Sequence, residues 1–367
     1  MGKGINRLEA ITQQNELLKE QNDLLREQNE LLRQAKSNDR EIFIENIDRD
    51  EMRNGFLVTS HRKKLWNVQL GLIKEFARIC EKHNLRWFAF YGTMLGAVRH
   101  KGFIPWDDDA DTAMFRPDYE KFKKIAPQEV KPPYFLDDWT EYRREDSENH
   151  LLDAEAHLPL IKREQERQLG FPYYFPSIKI RDSRTTMISH PDRRQLNQGI
   201  WIDIFPLDFA PPFTDQKQMI NFHAAKEMFI AISFPDKMRE LLKNNRRFVI
   251  SANELKKFLT FSHRQKALFF EKFLNENFKG SRHFNQIRDL SVMGKTNVYN
   301  IEDFEQTVYL PFEKIKLPFP AGFDKILTAA YGDWRKFAIY PSHSMDYSTN
   351  ISCEEYFKTA LLLPKRN

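Results

Sequence analysis

Between Phe90 and Phe115 the chain reads FYGTMLGAVRHKGFIPWDDDADTAMF, and no other stretch restricts the fold as strongly. A Gly-Thr turn opens a short helix, and a loop then delivers clustered aspartates to the mouth of a strand. Residues two apart on a strand share a face, with Cα atoms roughly 6–7 Å apart, so Asp109 and Asp111 are placed to grip one cation. Beyond them Thr112 and Met114 alternate with Ala113 and Phe115, the pattern of a strand that becomes apolar past a charged tip.

A third acid stands in GIWIDIFPLD, Gly199–Asp208. Ile200, Ile202 and Ile204 form one face of that strand, and Trp201, Asp203 and Phe205 the other. A carboxylate among bulky apolar neighbours is costly unless paired or metal-bound, so Asp203 requires a partner. The cation of Asp109 and Asp111 is the expected one, because Mg²⁺ combines one or two carboxylates with substrate phosphates. Each piece also has a plain reading. The aspartate cluster fits a solvated turn, Asp203 fits a bond to an amide or arginine, and Gly-Thr fits an ordinary turn and cap. The same helix start also suits a phosphate. Taken in order, strand, Gly-Thr, helix, Asp-x-Asp strand and a later strand with one Asp describe a nucleotidyltransferase-type metal site.

The segment YGTMLGAVRHKGFIPWDDDAD (Tyr91–Asp111) closely resembles the signature of the LicD family, which is related to the fukutin proteins of animals. The likeness continues at FPSIKIRDSRT (Phe175–Thr185), at GIWIDIFPLD and at YLPFEKIKLPFPAGFDKILTAAYGDW (Tyr309–Trp334). It runs from near Leu65 to near His343, with no matching motif between Pro211 and Leu290. The resemblance implies a nucleotidyltransferase-like fold. It also implies transfer of a phosphorylated alcohol, such as phosphocholine, from a CDP-linked donor to a hydroxyl of a surface glycan or its lipid-linked precursor. Gly92 and Thr93 match the family's turn, Asp109 and Asp111 its metal pair, and Asp203 its third acid. Ala110 and Thr112 depart from the larger aliphatics usual there, which loosens the strand but leaves the carboxylates in place.

Phosphoryl transfer asks a protein for charge neutralisation and alignment more than for covalent chemistry. Mg²⁺ (or Mn²⁺) on Asp109 and Asp111 would bridge the diphosphate, a second ion shared with Asp203 would lower the pKa of the incoming hydroxyl, and Asp203 is also placed to take that proton directly. Arg99, His100 and Lys101 before the acid loop, and Lys179 and Arg181 alternating with Ile178 and Ile180, are candidates for the donor phosphates. The plain reading of Arg99–Lys101 is a solvated helix end favoured by its dipole. Trp106 is a loop anchor or a base-stacking ring, and Tyr173, Tyr174 and Trp201 are candidates for an aromatic cage around a quaternary ammonium. Asp109→Asn or Asp203→Asn is expected to abolish turnover and leave the fold intact. Two other functions compete: a DxD-type nucleotide-sugar glycosyltransferase, and an inactive coiled-coil scaffold. Against the first, only one short strand and helix precede the acids; against the second stands the intact acid triad.

The expected fold is α/β (α+β): a small mixed sheet flanked by helices, with a helical insertion and an N-terminal coiled coil. Residues 1–37 repeat NELLKEQ, NDLLREQ and NELLRQ with a period of seven. Asn15, Asn22 and Asn29 then occupy a, and Leu18, Leu25 and Leu32 occupy d, favouring an in-register parallel homodimer. A lone helix covering a partner or a membrane surface is the alternative. Residues 38–60 are expected as a linker, 61–210 as the catalytic core and 291–367 as its C-terminal part. The stretch 211–290 holds 15 Lys and Arg against 8 Asp and Glu, with twelve interleaved phenylalanines. Helices are expected there rather than strands, either as a subdomain with Phe inside and Lys outside or as a surface for anionic headgroups.

A formal charge of +5 over 367 residues is mild and no nucleic-acid motif accompanies it, so nucleic acid is not an expected partner. Cys80 and Cys353 provide no disulfide framework. Without an apolar signal core or a bilayer-length apolar run, a cytoplasmic location is expected, with the inner membrane face as a peripheral site.

Overall fold

The computed structural model describes residues 41–138, 177–188, 197–210, 216–244, 247–278, 283–285, 299–336, 347–353 and 355–356. The heptad segment, Tyr173 and Tyr174 lie outside the described residues. In chain order the elements begin with β1 (Glu51–Arg53), β2 (Phe56–Val58), α1 (Ser60–Lys82), β3 (Phe88–Ala89), α2 (Tyr91–His100), β4 (Asp111–Phe115) and α3 (Arg116–Glu129). Next come β5 (Tyr134–Asp137), β6 (Ile178–Asp182), β7 (Thr186–Met187) and β8 (Ile200–Ala210), then helices α4 (Gln216–Ser233), α5 (Pro235–Lys243), α6 (Ala252–Leu259) and α7 (His263–Phe278). The last are β9 (His283–Asn285), β10 (Tyr299–Asn300), a 3-10 turn (Ile301–Phe304), β11 (Thr307–Phe312), β12 (Ile315–Pro320), α8 (Phe323–Tyr331) and β13 (Tyr347–Ser348).

The central strand is β8. It pairs in parallel with β4, antiparallel with β6 through Ile200–Ile204, and antiparallel with β9 through Asp208–Ala210. The sheet is completed by β3 on β4, β5 on β6 and β10 on β9, giving the expected mixed α+β class. Ile200, Ile202, Ile204, Trp201, Asp203 and Phe205 are all buried, so both faces of β8 are covered.

Helix α1 covers this sheet because it repeats apolar residues at helical spacing: Leu65, Leu72, Ile73, Phe76 and Ile79 are buried. Thr59 caps it, its side-chain oxygen accepting from the Arg62 amide at 3.2 Å.

The expected linker is structured from residue 41 onward. Phe43 and Ile44 are buried, and the Phe43 amide donates to Asn67 Oδ1 at 2.7 Å. Strands β1 and β2 form a hairpin across Asn54 (φ 49) and Gly55 (φ 79). Asn-Gly supplies the two positive φ angles that a two-residue hairpin turn requires.

Between residues 216 and 278 the described elements are the helices α4–α7, and α4, α6 and α7 enclose a second apolar cluster that includes Phe222, Phe229, Leu255, Phe258 and Phe270. One strand, β9, falls within the stretch expected to be wholly helical, because β8 continues past Leu207 and still has open backbone groups to pair. Among the described residues no helix is long and apolar enough to cross a membrane.

Candidate active site

The β4–β8 register sets the site. Asp111 and Asp203 are direct cross-strand partners, on strands whose ordinary separation is about 4.8 Å. Pairing reaches one residue further back, where the Asp203 amide donates to the Ala110 carbonyl at 3.1 Å. Thr112 Oγ1 donates to the Asp203 carbonyl at 2.9 Å, so the threonine that departs from the aliphatic pattern ties the two strands together. Strand β4 starts at Asp111, which leaves Asp109 in the loop before it rather than on the strand.

Gly92 and Thr93 serve the acids directly. Thr93, buried in the first turn of α2, accepts the Asp111 amide on Oγ1 at 2.8 Å. A Cβ on Gly92 would stand 2.8 Å from Asp107 Oδ2, closer than such contacts run, so the glycine makes room for that carboxyl.

Asp107 is the member that sequence reasoning passes over. Burial first, then the charges of Asp109 and Asp111 and a hydrogen bond with Asp109, push its carboxyl well above the usual carboxylate range. The only sequence signal for it is its place two residues before Asp109. Acids that raise one another's pKa in this way fit a hard divalent cation. Among the described residues no group of three or more acids, histidines and cysteines is placed to hold a metal ion, so an ion here would depend on substrate phosphate oxygens as well.

Asp203 already has protein partners. Its Oδ1 accepts Ser177 Oγ at 2.6 Å and pairs with Lys179 Nζ, while Oδ2 accepts Trp201 Nε1 at 2.9 Å. Burial works to raise this carboxyl, but Lys179, Ser177 and Trp201 hold it below the usual range. Burial pushes the Lys179 ammonium down, helped by Arg181 and opposed by Asp203. The partner expected to be a cation is therefore at least in part a lysine.

The remaining candidates are placed differently from expectation. Arg181 is buried and donates to Asp137 Oδ2 at 2.6 Å and to the Gly199 carbonyl at 3.1 Å, which makes it a brace between β5 and β8 rather than a phosphate contact. Trp201 carries Lys179 Nζ 4.8 Å and the Arg181 guanidinium 4.9 Å from its ring centre, so its π system already serves two cations. Arg99 reaches the Trp334 carbonyl at 3.5 Å. His100 lies 2.5 Å from Asn54 Nδ2 through Nδ1, and burial together with Arg99 and Arg53 lowers it to about 4, so it is neutral at pH 7. Trp106 is buried, edge-on to Phe56 and to His100.

Tyr331, at the end of α8, is a further residue that sequence reasoning does not single out. Burial of its hydroxyl first, then the charges of Asp111, Asp107 and Asp109, push that hydroxyl well up, although the residue as a whole is 43% exposed.

Residues 84–217 match the family described as LicD/FKTN/FKRP, nucleotidyltransferase domain, a range that holds Gly92, Thr93, all the acids of the site and Lys179. The chain is 27% identical over 273 residues to the lipopolysaccharide cholinephosphotransferase LicD of Haemophilus influenzae, covering 73% of this chain and 89% of that protein. It is also 42% identical over 69 residues to an uncharacterized protein of Rickettsia typhi, and 40% identical over 57 residues to one of Rickettsia prowazekii. Those two matches cover 22% and 21% of the relatives' own lengths. The stretch that carries the acid loop, its Gly-Thr support and the Asp203 strand is the part of the chain that matches the LicD family's domain.

Proposed function

We propose that the protein is a divalent-metal-dependent phosphotransferase. It moves a phosphorylated alcohol, phosphocholine or a close relative, from a CDP-linked donor to a hydroxyl of a surface glycan or its lipid-linked precursor. The observation that carries this reading is the meeting of two acid-bearing strands in one register, Asp111 opposite Asp203, within a chain that matches a lipopolysaccharide cholinephosphotransferase over most of its length.

Asp107, Asp109 and Asp111 would hold Mg²⁺ or Mn²⁺ with the donor's diphosphate. Bound there, a divalent cation neutralises the diphosphate and makes the phosphorus a better target for a hydroxyl. Thr93 fixes the main chain of Asp111, and Gly92 leaves space for Asp107. Asp203 is kept ionised by Lys179, Ser177 and Trp201, and among the described residues its Oδ2 accepts only Trp201, so it retains capacity to take the acceptor's proton. The alcohol pocket is not built on Trp201, whose ring faces Lys179 and Arg181. The reaction would run on the cytoplasmic side, where a CDP-linked donor is made, with the acceptor at the membrane face.

Thermal stabilisation by CDP-choline, CDP, UDP and GDP, with and without Mg²⁺, tests this reading on the native chain and on Asp111→Asn. A ligand at a hundred times its dissociation constant adds about 2.7 kcal/mol, a readable shift. A Mg²⁺-dependent response to cytidine diphosphates, lost in Asp111→Asn, is the expected result. A preference for UDP would replace the reading with sugar transfer.

A further inference from the structure

One face of α1 is bonded to the main chain of the acid loop. Arg62, Trp66 and Gln69 fall at i, i+4 and i+7 and so form a single stripe along the helix. Arg62 donates through a guanidinium nitrogen to the Asp107 carbonyl at 2.8 Å, and Trp66 Nε1 donates to the same oxygen at 3.0 Å. Gln69 Nε2 donates to the next carbonyl, that of Asp108, at 2.8 Å. The loop is held by its backbone, and none of these three bonds uses a carboxyl group.

Gln69 has a second peculiarity. It is fully buried, and its Oε1 finds no hydrogen-bond partner among the described residues. Burying an amide with one end unmet opposes folding, and Leu or Met would fill the space without that penalty. What Gln offers and an apolar residue does not is the bond to Asp108. Carboxyls that repel one another, as Asp107, Asp109 and Asp111 do, spread apart unless the chain that carries them is fixed.

We infer that the Arg62–Trp66–Gln69 stripe of α1 is the positioning element of the carboxylate loop: it fixes the loop's main chain, and so the placement of Asp107, Asp109 and Asp111 beside a divalent cation that donor phosphates also ligate. The inference rests on the metal-centre reading above. Residues of this kind, which act through the ligands rather than touching the ion, set its affinity.

Mn²⁺ binding to the full chain, measured by electron paramagnetic resonance with CDP present and no acceptor, tests it. Trp66→Phe keeps an aromatic ring against Phe103 while removing the N–H along with part of the indole, and Gln69→Met keeps the volume. Arg62→Met, at a half-buried position, provides the measurement if a core variant fails to fold. Each variant that folds is expected to weaken Mn²⁺ binding about 10-fold or more. Native Mn²⁺ affinity in folded variants, whatever their melting temperatures, would overturn the stripe while leaving the metal centre standing. A native chain that binds no Mn²⁺ would remove the metal centre and the stripe with it.

Discussion

Lys179 and Asp203 face each other across the antiparallel β6–β8 ladder, and their ion pair is enclosed by Ser177 and Trp201. Asp203 thus stands between Lys179 on one strand and Asp111 on the other. Removing its charge strands a buried ammonium, a change that typically costs about 3–5 kcal/mol. Asp203→Asn is therefore expected to lower the melting temperature as well as turnover, against the expectation from sequence that the fold stays intact. Asp203→Asn combined with Lys179→Met should recover much of the stability and none of the activity, as read by calorimetry alongside a phosphocholine-transfer assay.

Thr93→Val removes the hydroxyl oxygen that accepts the Asp111 amide. An unmet buried donor costs about 1–3 kcal/mol, and the strand tip that bears the acid loses its anchor. Turnover should fall by about 10-fold or more, since anchors of this kind carry that much. Thr93→Ser, which keeps the oxygen, should restore most of both quantities.

Gly92→Ala separates function from folding. The group that its Cβ would press on is Asp107 Oδ2, the end of a side chain that can rotate away. Denaturant unfolding is expected to register a change below about 1 kcal/mol, the range of an ordinary Gly-to-Ala exchange. Mn²⁺ affinity should nevertheless drop clearly. Native-like metal binding by this variant would mean that Asp107 is not a ligand.

Arg181→Met should be a folding mutation. It leaves Asp137 buried without the guanidinium and is expected to destabilise by about 3–5 kcal/mol. At a temperature where the variant is folded, its KM for the CDP-linked donor should equal that of the native chain. A raised KM with unchanged stability would return Arg181 to the phosphates.

His100 makes a testable contribution to pH dependence. Unfolded, the imidazole takes its proton near 6.5; folded, burial and the neighbouring arginines lower that to about 4. The unfolded chain then binds more protons between these values, so this residue's contribution to stability is present above pH 6.5 and is lost as pH falls towards 4. In His100→Gln the curve of melting temperature against pH should lose that slope. Retention of the full slope would place the titrating group elsewhere.

The parts of the site legible in sequence are those with a local signature. The period-two alternation in Asp111–Phe115 and Ile200–Phe205, each broken by an acid, is enough to put Asp111 and Asp203 on strands, and an acid among isoleucines announces that it has a partner. The identity of that partner is another matter. Lys179 alternates correctly with Ile178 and Ile180, but alternation does not distinguish a lysine that meets phosphate from one that meets Asp203. Arg62, Trp66 and Gln69 leave no trace at all, because they lie about forty residues from the loop and bond to carbonyls, which every residue possesses. Asn54-Gly55 is the opposite case: the hairpin signal is present in the sequence, and the polar run around it, read by composition, hides it.

Strand β8 belongs to two cores at once. Ile200, Trp201, Ile202, Ile204, Phe205 and Leu207 lie in the main apolar cluster, while Phe209 packs against the helical one, and between them Asp208 is held by the Arg116 guanidinium at 2.7 and 2.8 Å. Arg116 also approaches Glu271 of α7 at 3.6 Å. The helices cannot part from the sheet without pulling Phe209 out of the helical cluster and separating Glu271 from Arg116. The consequence is cooperativity: the two clusters should melt in a single transition, with one midpoint reported by tryptophans of the sheet and by helical circular dichroism alike.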